Sequence, residues 1–144
     1  MADDLPNLDI MEELRALRAE LRALRAEMRV QTIELQELRK LTFARDFNVY
    51  ARLQNSRVRT EAQELAVLRS VSTNLVNEAN LNEAIPHFPE NVRALRRMNA
   101  GDLRRILEAV DVEYEVEHAR KGQERTYLQK KVIKAIGVIF DLDL

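Results

Sequence analysis

The sequence has no cysteine and no tryptophan, three glycines and three prolines, and aromatics make up only 5% of its 144 residues. Without cysteine there can be no disulfide framework, thiol nucleophile or thiolate metal site. With so few glycines, the tight turns of a nucleotide-binding loop or an oxyanion hole are hard to build, and no Gly-rich phosphate loop, HExxH or GxSxG is found. Few aromatics limit the apolar area each residue can bury, so a lone monomer of this size would have a thin core, and self-association is one remedy. No apolar run approaches the ~20 residues of a membrane span. The start, Met1-Ala2-Asp3-Asp4, is acidic where a secretory or transit peptide would be basic. An intracellular protein, cytoplasmic or nuclear, is expected.

Neither positive nor negative charge predominates. The 23 Lys and Arg against 24 Asp and Glu give a net charge of −1, weaker in basic excess than a dedicated nucleic-acid binder. Charged residues nevertheless form 33% of the chain, a composition typical of long helices and coiled coils. The expected fold class is all-α: a long N-terminal parallel coiled-coil helix followed by a small helical domain with an irregular connector. The expected division is an acidic lead at 1–9, a long helix at 10–53, the connector at 54–89 and the small helical domain at 90–144.

From Ile10 to Leu53 no Gly or Pro interrupts a sequence rich in Leu, Arg, Glu and Ala. Asp9 is a plausible N-cap, with Glu12 and Glu13 in the first turn. Such a helix would be about 65 Å long, which suggests a stalk. Its apolar residues alternate in steps of three and four. With Leu14 at position a, the a series is Leu14, Leu21, Met28, Leu35 and Thr42, and the d series is Leu17, Leu24, Gln31 and Leu38. Four heptads of this kind predict a coiled coil.

The flanks predict its direction. Glu13, Glu20, Glu27 and Glu34 hold position g; Arg18, Arg25, Thr32 and Arg39 hold position e. Two parallel copies bring Glu13 to Arg18, Glu20 to Arg25 and Glu34 to Arg39, whereas antiparallel copies set like charges together. Each exposed pair is worth only about 0.3–0.5 kcal/mol, but the pairs change sign as a set and repeat in every chain, so the parallel arrangement is expected. A dimer is favoured over a trimer or tetramer. Gln31 either fixes the register by meeting its own copy or marks where the heptad falters before Val30 and Ile33. Ala16, Ala19, Ala23 and Ala26 form a small-residue stripe that admits a close helix or simply favours helix formation.

Phe43, Phe47 and Tyr50 follow at helical spacing and are expected in the core of the head. Asn55-Ser56 is expected to end the helix. Beyond it, Leu65, Leu68 and Val71 have the spacing of one or two helical turns, and Leu65, Leu75, Leu81, Ile85 and Phe88 are expected to anchor the connector. A short helix from Pro89-Glu90 should bury Val92, Leu95 and Met98. A second, capped by Asn99 with Asp102 at its third position, should bury Leu103, Ile106, Leu107 and Val110. Val112, Tyr114 and Val116 alternate with Glu113, Glu115 and Glu117, the period of an extended connector or edge strand. A last helix from about Lys121 to Ile136, burying Tyr127, Leu128, Val132, Ile133 and Ile136, should stop at Gly137. The tail residues Ile139, Phe140, Leu142 and Leu144 should be buried, in this chain or in its partner.

Asn55-Ser56-Arg57, Ile85-Pro86-His87-Phe88-Pro89, Leu103 with Leu107, and Ala135-Ile136-Gly137-Val138, in that order, resemble a group of uncharacterised fungal coiled-coil proteins over residues 44–138. The resemblance implies a coiled coil leading into a C-terminal helix pair and carries over no site. The helix pair itself is loosely similar to SAP and other helix-extension-helix modules. That likeness implies DNA binding, although the acidic link holding Asp111, Glu113, Glu115 and Glu117 departs from the SAP pattern.

Two isolated histidines, His87 and His118, give no acid–base or metal site, and the three alternating glutamates read as a solvated edge. No catalytic residue, metal or cofactor is expected. The basic cluster Arg93, Arg96, Arg97, Arg104 and Arg105 would contact phosphate if nucleic acid binds; Glu90, Asp102, Glu108 and Glu124 are placed to neutralise it. The leading expectation is a non-enzymatic scaffold protein, homo-oligomeric through the leucine seam, presenting helical heads to a protein partner. The alternative is a DNA-associated factor using the C-terminal helix pair.

Overall fold

A computed structural model describes residues 5–72, 80–115 and 122–139. The fold is all helical, with no strand among the described residues. A long N-terminal helix, α1 (Leu5–Asn55, 51 residues), is followed by α2 (Val92–Arg97), α3 (Ala100–Ala109) and α4 (Glu124–Ile136). Helix α1 starts earlier than the expected nine-residue lead allows, so Asp9 lies inside it rather than capping it. Pro6 does not prevent this, because the first-turn N–H groups have no intrahelical acceptor and proline forfeits nothing there. At the other end Ser56 N–H donates to the Arg52 carbonyl at 2.8 Å and closes the last turn.

The chain divides into two compact units, Met1–Leu38 and Arg39–Leu144. In the first, every described side chain from Asn7 to Leu38 is exposed. The second holds the core. Leu68, Val92, Leu95, Leu103, Ile106, Leu107, Leu128, Val132 and Ile136 are fully buried in it, and α3 packs on α4. The caps follow the local sequence. Asn91 and Asn99 accept from the N–H groups of Ala94 and Asp102, each at 2.8 Å. Gly137 ends α4 in the left-handed conformation, with φ of 91°.

The connector differs from its expected form. Leu65, Leu68 and Val71 carry helical spacing, yet residues 64–71 run extended. Single antiparallel bridges join Glu64 to Asn91 and Arg69 to Ala84. Leu65 N–H donates to the Glu90 carbonyl at 2.7 Å and Ile85 N–H to the Leu68 carbonyl at 3.0 Å. Leu65 and Ile85 are buried, and Leu81 and Phe88 half-buried, as expected of anchors; Leu75 lies outside the described residues. Turns in this glycine-poor chain use Asn82 (φ 66°), His87 (φ 54°) and Asp111 (φ 56°), the non-glycine types that best tolerate positive φ. After α3, Val112 and Tyr114 are half-buried while Glu113 and Glu115 are exposed, so the alternation holds without a strand. Val116, Glu117, His118 and Lys121 lie outside the described residues, as do Phe140, Leu142 and Leu144. Val138 is buried and Ile139 is exposed.

Candidate self-association interface

The seam residues sit on an unbroken helix that brings positions three and four apart onto one stripe. Leu14, Leu17, Leu21, Leu24, Met28, Leu35 and Leu38 are all exposed, the least at 43% (Leu14) and the most at 59% (Leu17 and Met28). Gln31 shares that exposure, and so do the flanking Glu13, Arg18, Glu20, Arg25, Glu34 and Arg39. Thr32, at an e position, turns its hydroxyl back onto the Met28 carbonyl at 2.8 Å. Seven large apolar side chains in water on one face are costly, since each forgoes about 1.5–3 kcal/mol of burial. They form one continuous row along the helix rather than scattered surface leucines.

The later turns of α1 behave differently. Phe43, Phe47 and Tyr50, expected in the core, are exposed. The face that the head covers is instead Ala44, Asn48, Ala51 and Asn55, spaced four, three and four residues apart. Small side chains there let the rest of the head come close. A Cβ on Gly137 would lie 2.8–2.9 Å from the Arg52 backbone and Cβ, a distance only glycine permits. Phe47 is instead overlaid by the Arg69 guanidinium, 4.2 Å from its ring centre.

Two buried asparagines read the backbone of the connector. The Asn48 amide donates to the Arg69 carbonyl at 2.8 Å and accepts from the Arg69 N–H at 2.7 Å. The Asn55 amide donates to the Ala66 carbonyl at 3.2 Å and accepts from its N–H at 2.7 Å. The register is fixed by geometry: seven residues of helix rise about 10.5 Å, and three residues of extended chain span about 10 Å. Claiming both groups of Ala66 and Arg69 holds the segment extended and overrides its helical spacing. Asn55 also donates to the Ile136 carbonyl at 2.9 Å, and Arg52 Nε donates to the Ala135 carbonyl at 2.8 Å. Burial lowers the Arg52 guanidinium pKa below its ordinary value. The sequence pointed to Asn55 only as the end of the helix and to Asn48 not at all, although the repeated Ala-x-x-x-Asn at seven-residue spacing (Ala44/Asn48, Ala51/Asn55) is a usable signal.

The basic cluster on α2 and α3 is largely engaged. Arg96 pairs with Glu61 at 2.8 Å, Arg104 pairs with Glu124, and Arg105 lies 3.7 Å from Asp102. Arg93 and Arg97 are exposed. Asp102 and Glu124 were expected partners; Glu61, from the connector, was not. Glu108 instead accepts from the Tyr114 hydroxyl at 2.9 Å. Burial first, and then this bond and the Glu108 charge, raise the Tyr114 pKa.

His87 is exposed, and among the described residues no group of His, Asp and Glu is placed to hold a metal ion. No described helix is long and apolar enough to cross a membrane. No protein-family model, curated protein or solved structure significantly matches the chain.

Proposed function

We propose that this chain is a non-enzymatic, intracellular scaffold that self-associates through a parallel coiled coil over Leu14–Leu38 and presents copies of its helical head to a protein partner. The observation that carries the reading is the exposed seam itself: heptad leucines, glutamates at g and arginines at e, on a stretch of helix (residues 7–38) in which every side chain is exposed. Burying the a and d side chains against a second copy removes the hydration cost, and the flanking charges favour copies pointing the same way. The gain for function is multivalency, because linked heads rebind at high effective concentration. Three of the five cluster arginines already face carboxylates, which supports a protein rather than a nucleic-acid partner.

Sedimentation equilibrium of the full chain tests this. The expected mass is twice the 16.7 kDa of one chain, falling to the monomer when Leu21 and Leu24 are both changed to Glu. A full-length protein that stays monomeric at tens of micromolar overturns the proposal.

A further inference from the structure

Five large apolar side chains of the head are exposed on α1, and besides Phe47, which lies under the Arg69 guanidinium, they are Phe43 (66% exposed), Val49 (61%), Tyr50 (71%) and Leu53 (53%). These four lie on the same turns as the buried Ala44, Asn48, Ala51 and Asn55 but on the opposite face of the helix. Aromatic side chains bring ~150–250 Å² each when fully covered. The face therefore offers on the order of 400 Å² per copy, the size at which an exposed apolar patch signals a partner.

We infer that the same face of a second copy covers it, so that the two-chain contact continues past the leucine heptads along the head's own helix. This rests on the parallel coil proposed above. The helix continues without break to Asn55, and the sequence spacing carries the stripe onward. From Leu38 it passes through Thr42, Asp46 and Val49 to Leu53 in steps of four, four, three and four. Leu38 to Val49 and Thr42 to Leu53 are each eleven residues, the repeat that follows when four residues are inserted into a heptad pattern. Such an insertion unwinds the supercoil locally and lets the helices run nearly straight. A strict heptad would instead place Arg45 and Arg52 at d, and Arg52 is already engaged on the Ala135 carbonyl. Phe43 and Tyr50 flank the stripe. Asp46 interrupts it, and because an ionised carboxylate only accepts hydrogen bonds, its own copy opposite repels it and weakens the contact at that level. No other occupant has this continuity: the head of the same chain already takes the Ala–Asn face, and a second parallel copy brings the matching stripe in the matching direction.

The absence of cysteine makes a direct test available in the full chain. Single variants Leu21→Cys, Val49→Cys, Leu53→Cys and Glu37→Cys are oxidised under identical conditions, and the disulfide-linked dimer is measured. Only residues that face their own copy across a narrow seam link efficiently. The expected result is a majority of linked dimer at Leu21, Val49 and Leu53, and at least fivefold less at Glu37, a c position. Linkage at Leu21 without linkage at Val49 or Leu53 overturns the inference and leaves the leucine coil standing. Linkage at none of the three overturns both. Linkage at Leu53 alone overturns the leucine coil and, with it, the continuation. Equal linkage at Glu37 also overturns the inference, because it reports collision rather than a seam. Circular dichroism of each variant, expected to match the parent, confirms that these exposed substitutions leave the fold intact.

Discussion

One helix spans two regions with opposite habits. Over residues 7–38 it is a leucine helix with every side chain exposed; over residues 44–55 it buries alanine and asparagine and exposes phenylalanine and tyrosine. The backbone is one unbroken helix through both. What differs is what approaches. In the head, the extended connector and the end of α4 come so close to α1 that only small side chains fit, and the polar groups they bring must be answered. Asn48 and Asn55 answer them, each making reciprocal bonds to one backbone residue. Hydrophobicity alone therefore ranks the faces of this helix wrongly in the head, while in the first region the apolar stripe and the charges beside it follow one spacing.

Substitutions sharpen the contrast, because those in the head should change stability independently of protein concentration, whereas those in the seam should act through association. The largest effect is expected at Asn55. Asn55→Ala removes bonds to Ala66 and Ile136 and leaves buried backbone groups without partners, each costing about 1–3 kcal/mol. A loss of about 3–5 kcal/mol in urea unfolding is expected, the same at low and high protein concentration. Asn55→Asp, nearly isosteric but lacking the amide donors, should fare no better. A loss below 1 kcal/mol for the alanine variant would show that the amide does not hold the connector.

Gly137→Ala should cost less, about 2–3 kcal/mol, because it adds a Cβ where φ is 91° and the Arg52 backbone lies within 2.9 Å. Thermal unfolding at matched concentrations measures it, and an unchanged midpoint would mean that α4 does not seat against Arg52.

The smallest effect concerns pH and is confined to the head. Tyr114 has a raised pKa in the folded state. The folded chain therefore holds this proton at pH values where the unfolded chain, with an ordinary tyrosine near pH 10, has lost it. The stability contribution is complete below about pH 10 and declines as pH rises through the folded-state pKa. Tyr114→Phe should flatten the alkaline part of the stability profile, read by unfolding at several pH values. A wild-type profile identical to that of the variant would contradict the assignment.

Much of the architecture was legible in the residues. The long helix, its end at Asn55-Ser56, the Asn99 cap, the Gly137 stop and the buried faces of α3 and α4 each rest on local chemistry or periodicity that needs no partner. The connector was misread because Leu65, Leu68 and Val71 carry a helical period, while the groups that keep them extended lie at Asn48 and Asn55, far off in sequence. The aromatics were misplaced for a related reason: large apolar side chains normally go inside, unless the elements facing them stand too close. The leucine stripe and its charged flanks were readable as a pattern on one helix, and the structure places those residues exposed on α1.

Helix propensity, spacing and capping act over a few residues, so they dictate a long uninterrupted helix, a leucine stripe bordered by acids and arginines, and a set of shorter capped helices. Tertiary structure alone decided which side of that helix the head uses. That choice depends on close approach and on satisfying buried backbone groups of distant segments, and neither is written in any short stretch of chain.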